Sequence, residues 1–393
     1  MTEQILIMFT IIGGAAIVPF VGRRFHIPSS VLEILYGVLL FNTVLKEKPQ
    51  WFLLMKELGI IYLMFIAGME LDIRGLRGQK RILWYVAVPL SSFIITPVVF
   101  IYLGFSFYLG IAVSVISAGI IIPILKELNL LDTPIGRDIM GIALVGELLS
   151  ILVLAFVDIY HGTGLSLTAL WEGVKLLGLL ALTGLFLRVL YLIAWWNPEK
   201  VEKVMESEDP VEEGIRAVVS IAFAGALIAH FSGVEAILGS FLVGVVFSYV
   251  FRSKGVFEDK LNAVGFGFFI PFFFIGIGAD LNLSVLTDMK MIYLSLLFTL
   301  AIFLSNSLPL FVAPLMGFRG MEAFGITLIL SAPLSLIVVT GALGVRMGLI
   351  PSSIYNSLIL TGIVASVLYP TLFRLIHKKF NIHDQDRKKH FSS

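Results

Sequence analysis

Residues 111–123 read Ile-Ala-Val-Ser-Val-Ile-Ser-Ala-Gly-Ile-Ile-Ile-Pro, and residues 327–335 read Thr-Leu-Ile-Leu-Ser-Ala-Pro-Leu-Ser. Both stretches are apolar enough for a membrane helix, but each contains helix-breaking residues near its middle. Pro and Gly remove helical hydrogen bonds, and nearby hydroxyls can satisfy the freed backbone groups. The alternative is a simple Pro kink in which Ser bonds back to its own helix. Two such stretches in one chain favour interrupted helices, whose free carbonyls and helix ends can coordinate a cation.

The composition supports a membrane setting. The chain has 393 residues, of which 58% are hydrophobic and 14% charged, whereas soluble domains carry about 25% charged residues. The net charge of +1 offers no basic surface for a nucleic acid. The sequence has no Cys, which excludes a disulfide framework and a thiolate metal site. These numbers exclude a soluble enzyme, a disordered chain and a nucleic-acid binder. They predict an all-α polytopic membrane protein.

Thirteen apolar runs of about 18 residues or more predict thirteen transmembrane helices, which we number spans 1–13. They are residues 4–21, 28–45, 52–71, 82–104, 107–125, 138–159, 166–195, 211–231, 234–251, 260–282, 290–315, 322–344 and 352–376. With the Arg23–Arg24 loop inside, most Lys and Arg of the loops also fall inside. We therefore expect an outside N-terminus, a single transporter domain over 1–376 and a basic cytoplasmic tail over 377–393. The expected location is the plasma membrane of a prokaryotic cell.

Three short motifs recur in order in the second half of the chain. Glu33–Gly37 pairs with Glu235–Gly239, Gly68–Ile73 with Gly278–Leu283, and Ser117–Gly119 with Ser331–Pro333. Each pair lies seven spans apart, an odd number, so the two copies have opposite orientation. Spans 2–6 and spans 9–13 are therefore predicted to be inverted-topology repeats, the architecture typical of secondary transporters.

Span 6 contains a single acidic residue near the middle of the membrane. Glu147 lies about nine residues into a span of about 21, close to the midplane at 1.5 Å per residue. An ionisable residue at that depth is a functional hypothesis by default, and Ser150 shares its helix face. The alternative is a structural ion pair with Arg188 or Arg216. We expect hydroxyls of the two interrupted spans, together with Ser150, to surround Glu147 in one small polar cavity.

The remaining membrane acids lie near helix ends. Glu33, Glu70 and Asp72 are close to the inner ends of their spans, and Glu235 and Asp280 are close to the outer ends. A capping or interfacial role is the interpretation for all five. Asp280 is retained as an accessory site candidate.

These features resemble the monovalent cation:proton antiporter superfamily, and the closest branch looks like that of the Kef-type exchangers and bacterial sodium/proton antiporters. The motifs that carry the resemblance are Ile27–Pro28, Glu33–Gly37, Glu57–Gly59, Phe65–Asp72, Ser117–Gly119, Pro123–Glu127, Gly239–Gly244 and Phe274–Gly278. The resemblance implies thirteen helices divided into a dimerisation domain and a mobile core. It also implies crossed, broken helices and a carboxylate on the sixth helix, which here is Glu147.

The sequence departs from the family pattern at two places. The sixth-helix carboxylate of the family usually follows an Asp, Asn or Gln, whereas Gly146 precedes Glu147 here. The basic residue that many members carry on the eleventh helix is replaced by the neutral stretch Ser305–Ser307. The resemblance implies a homodimer, which we expect to form through spans 2 and 9, since Gly239 to Gly244 suits close helix contact. Any gating would require a separate cytosolic regulatory subunit.

The predicted function is antiport of Na⁺ or K⁺ against H⁺, in the service of pH homeostasis and without a cofactor. A single carboxylate predicts electroneutral exchange. The predicted ion-binding and proton-binding residues are Glu147, Ser117, Ser150, Ser114 and Ser331, with Glu147 as the cation ligand. The predicted helix-interruption residues are Ala118, Gly119, Pro123 and Pro333, and the accessory candidates are Asn306, Ser335 and Asp280. The alternatives are a sodium-coupled symporter of an organic anion, a channel, and an intramembrane hydrolase, for which the chain lacks an HExxH pair.

Overall fold

A computed structural model describes most of the chain. The residues outside the description are 1, 26, 46, 71–81, 122–123, 126–127, 132, 165–212 apart from 171, 174, 175, 178 and 185, then 232–235, 251–254, 282–287, 317, 319 and 392–393. Within the described residues the secondary structure is helical throughout and contains no β-strand. The predicted all-α class is therefore confirmed.

Twelve of the thirteen predicted spans coincide with described helices. Spans 1–4 are Thr2–Phe25, Ser29–Leu39 with a π-helical end Leu40–Val44, Gln50–Glu70 and Ile82–Tyr102. Span 5 begins with Phe107–Ser114, span 6 is Pro134–Thr163, and spans 8 and 9 are Glu213–Phe231 and Ala236–Val250. Span 10 is Gly255–Val264 and Ile270–Asp280, joined by a π-helical turn, and span 11 is Met289–Ser305 followed by Leu308–Met316. Span 12 is Gly320–Leu330 and Leu334–Arg346, and span 13 is Ser352–Phe391, which continues into the predicted tail.

The helices that the structure describes agree with a polytopic membrane protein. Eight of the described helices are long and apolar enough to cross a membrane, and the bent pair of span 12 makes a ninth. Shorter apolar helices supply spans 2 and 9. Most of span 7, as well as Pro123, Arg188, Asp72 and Glu235, lies outside the described residues.

The chain divides into two compact units. Unit 1 is Met1–Gly78 with Ile151–Asp280, and unit 2 is Gln79–Ser150 with Leu281–Ser393. Unit 1 thus holds spans 1–3 and 8–10 together with the end of span 6 from Ile151. Unit 2 holds spans 4 and 5, span 6 as far as Ser150, and spans 11–13. Each unit combines matching spans from both predicted repeats.

In unit 1, spans 3 and 9 cross at two glycines. A methyl group added to Gly68 would lie 2.1 Å from the carbonyl oxygen of Phe241. One added to Gly244 would lie equally close to the carbonyl oxygen of Phe65. Helices in a bilayer associate through such close backbone packing, because lipid offers no hydrophobic force between them.

Spans 2 and 10 cross in the same way. Gly37 packs against the carbonyl of Ile275, and Gly278 packs against the carbonyl of Ile34. The two crossings match as an inverted repeat requires, with Gly278 in the place of Gly68 as predicted. Gly37, however, corresponds to Gly244 and not to Gly239, so the predicted register of spans 2 and 9 is corrected.

The glycines of span 9 are used within the chain. A methyl group at Gly239 would lie 2.3 Å from the carbonyl oxygen of Gly225, and Gly244 is covered by span 3. The small-residue surface that suggested a dimer contact on span 9 is therefore occupied inside the protomer. The dimer itself stays a prediction.

Unit 2 contains the interrupted helices. The first helix of span 5 ends at Ser114, the backbone is extended at Val115, and helix resumes at Ile121. Span 12 breaks between Leu330 and Leu334, where its two halves meet at a bend of 46°. Both breaks fall where the sequence predicts them.

Candidate functional site

Glu147 lies at the centre of a buried polar site in unit 2. Its side chain belongs to the helix Pro134–Thr163 and is 1% exposed. One carboxylate oxygen, Oε1, accepts a hydrogen bond from the Ser117 hydroxyl at 3.3 Å. The other, Oε2, accepts one from the backbone N–H of Ala118 at 3.3 Å. Two groups at the break in span 5 therefore donate hydrogen bonds to the carboxylate of span 6.

The break in span 5 makes these contacts available. In a continuous helix the Ala118 N–H would bond to the carbonyl of Ser114. Because residues 115–117 are not helical, that N–H is free to donate to the carboxylate. A hydrogen bond to an ionised carboxylate is stronger than one between neutral groups. The broken helix and the buried acid therefore stabilise each other.

The Ser150 hydroxyl bonds to the non-helical segment of span 5, residues 115–117, and not to the Glu147 carboxylate. Its hydroxyl accepts the N–H of Ile116 at 3.1 Å and donates to the carbonyl of Gly146 at 2.7 Å. A buried N–H without a partner is costly, so this hydroxyl supplies what the lost helix cannot. Ser150 fixes Ile116, and through it the adjacent Ser117 and Ala118.

Gly146 allows span 6 to approach that segment. A methyl group at Gly146 would lie 2.9 Å from Cβ of Ile116 and 3.0 Å from two further atoms of that side chain. Real Cβ atoms hardly ever make such short contacts. The departure from the family's acidic pair thus coincides with a position where this chain has no room for a side chain.

A second hydroxyl extends the site toward span 12. The hydroxyls of Ser117 and Ser335 are 3.0 Å apart, and either can donate. Ser335 is 5% exposed and lies in the first turn of the helix Leu334–Arg346. A methyl group at Gly119 would lie 3.6 Å from the Ser335 hydroxyl, so Gly119 borders the same space. Ser335, ranked only as accessory from sequence, is hydrogen-bonded directly to Ser117.

Three other predicted site residues bond to backbone carbonyls. Ser114 donates to the carbonyls of Ser92 and Gly110, at 2.9 and 2.8 Å. Ser331 donates to Thr327 of its own helix at 2.7 Å. The Asn306 amide donates to Ile302 at 3.1 Å, and its oxygen lies 3.4 Å from the Ser92 hydroxyl. Ion-binding roles for Ser114, Ser331 and Asn306 stay predictions.

The break residues and Asp280 complete the comparison with sequence. Ala118 and Gly119 lie in the break of span 5, and Pro333 lies in the break of span 12. Asp280 belongs to unit 1, where it pairs with Lys48 at 2.7 Å and also with Lys56. Its charge is compensated by two ammonium groups.

One buried pair was not singled out from the sequence. Tyr85 donates from its hydroxyl to Oδ1 of Asp138 at 2.6 Å, and both residues are buried. A methyl group at Gly141 would lie 2.5 Å from the Tyr85 ring, so this glycine makes room for the ring beside span 6. The sequence signal for this pair was an acid, Asp138, followed one helical turn later by Gly141.

The arrangement can hold a proton or a small cation. Glu147, Ser117 and Ser335 offer carboxylate and hydroxyl oxygens from three different spans, and oxygen donors suit hard cations. A proton on Glu147 would neutralise the same charge that a monovalent cation would. The site therefore has the chemistry for two competing ligands of charge +1.

Comparison with known proteins places this geometry in a family. The transmembrane sodium/hydrogen exchanger family matches residues 10–379. The Na⁺/H⁺ antiporter of Enterococcus hirae is 28% identical over 394 residues, covering 96% of this chain and 99% of that protein. YjbQ of Bacillus subtilis is 26% identical over 391 residues, covering 93% of this chain but 62% of its own length. The chain thus spans less than two thirds of that relative.

A solved structure agrees with the fold. The sodium proton antiporter MjNhaP1 of Methanocaldococcus jannaschii matches with a TM-score of 0.62 and 15% identity, over 95% of this chain and 96% of that one. At this identity the match speaks for the architecture alone. The comparisons support the superfamily suggested by the sequence without singling out its Kef-type branch. A family match over nearly the whole length, carried by a broken-helix fold, shows that the chain belongs to the sodium/hydrogen exchanger family of cation:proton antiporters.

Proposed function

We propose that this protein exchanges a monovalent cation, Na⁺ or K⁺, for H⁺ by alternating access, with Glu147 as the residue that binds either ion. The observation that carries the proposal is a fully buried carboxylate held by Ser117 and the Ala118 N–H at a helix break. The Enterococcus hirae relative is named as an Na⁺/H⁺ antiporter, which supports the exchange of a monovalent cation for H⁺.

The coupling follows from charge. A ligand shifts an equilibrium only through its different affinity for the two states. With a proton or a cation on Glu147 the site is neutral, whereas the empty site carries a bare charge that is costly inside the bilayer. The neutral forms change access and the empty form does not, so each proton moved one way requires a cation moved the other way.

Ser117 adjusts the site to its ligand. With an ionised carboxylate its hydroxyl donates to Glu147, and with a protonated one it can turn toward Ser335 at 3.0 Å. Both bonding arrangements use hydroxyls already in place, so exchange of the ligand leaves no buried donor unsatisfied. The family match favours this antiport over the organic-anion symport considered from sequence.

We also propose the setting in which exchange occurs. The chain lies in the plasma membrane with its N-terminus outside, as the distribution of Lys and Arg indicates. Unit 2 carries the site and serves as the mobile core, and unit 1, with its glycine-packed crossings, serves as the dimerisation part. A homodimer follows from the family resemblance, and any gating would require a separate cytosolic regulatory subunit.

The test is exchange by purified protein in proteoliposomes. A gradient of Na⁺ or of K⁺ is imposed in turn, and the internal pH is followed with a trapped dye. The wild type should move protons against the cation, whereas Glu147→Gln should show no flux above empty liposomes, because Gln keeps the shape but cannot change charge. Thr340→Ala, which removes a buried hydroxyl of unit 2 that donates to Leu336 of its own helix and is not among the predicted site residues, is the matched control. Cation-driven proton flux by Glu147→Gln would remove Glu147 from the mechanism.

A further inference from the structure

A second buried carboxyl lies in unit 1, outside the site around Glu147. Glu33 belongs to the helix Ser29–Leu39 and is 5% exposed. The sequence interpretation of Glu33 as a capping or interfacial side chain does not fit this burial. The helix begins after Pro28 without a side-chain cap bond, and Glu33 lies a turn further in.

Within the described part of the chain, Glu33 lacks a partner for a charge. Among the residues that the structure describes, no donor or cation contacts its carboxyl, although hydrogen bonds and ion pairs are found for Tyr36 and Asp280 in the same unit. An ionised carboxylate buried without a partner is strongly unfavourable, so such a group binds a proton instead. The burial and the missing partner together indicate a protonated Glu33.

Span 1 and the second helix of span 10, Ile270–Asp280, pack against this helix in unit 1. Both carry charged residues, and those whose side chains the structure describes do not contact the Glu33 carboxyl. The charged residues are Glu3, Arg23 and Arg24 on span 1 and Asp280 on Ile270–Asp280. Arg24 is exposed, Asp280 is held by two lysines, and the side chains of Glu3 and Arg23 lie outside the description. The titratable Tyr36 on the same helix donates to the carbonyl of Thr10 at 2.7 Å.

Glu33 also lies at a tight helix crossing. The next residue, Ile34, offers the carbonyl against which Gly278 packs, and Gly37 one turn later packs against Ile275. Glu33 and Gly37 are four residues apart, so they share the helix face that packs against span 10. A charge on Glu33 would therefore lie beside the backbone contact between spans 2 and 10, where its demand for solvation would weaken the packing.

We propose that Glu33 is a second proton-binding site, which keeps the span 2–span 10 crossing packed while it is protonated and slows exchange when it loses its proton. The site lies outside the cation-binding group and takes no part in carrying the ion. Its ligand is a proton alone, since no second oxygen donor in the described residues joins it.

Two measurements test the proposal on the full-length protein in lipid. Infrared difference spectra between neutral and alkaline pH report protonated carboxyl groups directly, and cation-driven proton flux reports exchange. The variants are Glu33→Gln, Glu33→Asp and, as a control, Glu57→Gln, which changes an exposed acid of the same unit. Folding of each variant is checked by its thermal unfolding midpoint.

The wild type should lose one more protonated-carboxyl signal on alkalinisation than Glu33→Gln does, and Glu57→Gln should match the wild type. Glu33→Gln should keep exchange and retain at least three-fold more flux than the wild type at the alkaline end, where the wild type declines. If Glu33→Gln does not fold, Glu33→Asp should shift the frequency of the same signal. An unchanged spectrum in the variant that folds, or identical pH profiles of flux for Glu33→Gln and wild type, would overturn the proposal. The spectra require no transport, so they stand apart from the test of Glu147.

Discussion

The two broken spans of unit 2 are counterparts in the repeat but differ in how their backbones are satisfied. In span 5 the break covers residues 115–120, and side chains of span 6 hold two of its amides. Ser150 accepts the N–H of Ile116, and Glu147 accepts that of Ala118. The non-helical segment of span 5 is thus hydrogen-bonded to span 6 at both Ile116 and Ala118.

In span 12 the break covers only residues 331–333, and its hydroxyl bonds within its own helix. Ser331 donates to Thr327 within its own helix, and the Ser331 N–H bonds to the carbonyl of Leu328. The hydroxyls of Thr327 and Ser366 are buried and, among the described residues, have no hydrogen-bond partner. Among the described residues, the hydrogen bonds of this break are formed within span 12.

The neighbouring spans explain the difference. Gly146, Glu147 and Ser150 of span 6 correspond in order to Gly362, Ile363 and Ser366 of span 13. Each glycine packs against the broken span beside it, Gly146 on Ile116 and Gly362 on Leu334 and Ile337. The repeat therefore supplies two similar breaks, and the exchange of Glu for Ile leaves only the break in span 5 with a carboxylate beside it.

Among the substitutions that test this difference between the two breaks, the largest effect is expected for a change at Gly146. Gly146→Asp would restore the family's acidic pair but place its side chain against Ile116, 2.9 Å from the first added atom. Overpacking costs about 1–3 kcal/mol and a buried unpaired charge about 3–5 kcal/mol. We expect destabilisation of at least about 3 kcal/mol and loss of exchange, measured by denaturant unfolding in lipid and by proteoliposome flux.

The control removes the obstruction. Gly146→Asp combined with Ile116→Ala should recover part of the lost stability, because the smaller side chain makes room for the Asp. A stable, active Gly146→Asp single variant would show that the contact between Gly146 and Ile116 does not restrict this position.

A smaller effect is expected at the pair Ser150 and Ser366. Ser150→Ala leaves the Ile116 N–H buried without a partner, which costs about 1–3 kcal/mol. Ser366→Ala removes a hydroxyl that is itself without a described partner, so its effect should stay below about 1 kcal/mol. Unfolding midpoints of the two variants measure the difference, and Ser150→Ala should also weaken apparent cation affinity by displacing Ser117. Equal midpoints would contradict the asymmetry between the two breaks.

The sequence was sufficient for the features that depend on composition and local chemistry. Apolar runs located the spans, because backbone groups in lipid must be bonded within the segment. Gly119 and Pro333 marked the breaks, and the depth of Glu147 along span 6 marked the acid. These signals lie within one helix and need no knowledge of the neighbours.

Other features depend on contacts between spans and could not be read from the chain. Ser150 shares a helix face with Glu147, but only the packing of span 5 shows that it binds the Ile116 N–H. Gly37 has two glycines of span 9 as sequence partners, and the crossing geometry selects Gly244. The burial of Glu33 was missed because its place near a helix end suggested solvent.

The smallest expected effect is the response of exchange to membrane potential. The carboxylate beside the break in span 5 is Glu147, and its counterpart in the repeat is the uncharged Ile363. The neutral Ser305 and Asn306 take the place of the family's basic residue on span 11. We therefore expect the site to be neutral with either ligand and no net charge to move in a cycle. A charge moved across the membrane would couple to the potential at about 2.3 kcal/mol per 100 mV, a readily detected effect.

The measurement imposes a potential on proteoliposomes with a permeant lipophilic ion that is not a substrate, at equal cation concentrations on both sides. Neither sign of potential should drive proton flux, and a cation gradient added afterwards should drive it at once, which shows that the same vesicles are active. Potential-driven flux would mean that a second ionisable group accompanies Glu147 through the cycle. Asp138 would then be the first residue to neutralise, because it is a buried acid on the same helix of unit 2 as Glu147. Asp280 already has its charge balanced by Lys48 and Lys56, so its neutralisation should leave such a flux unchanged.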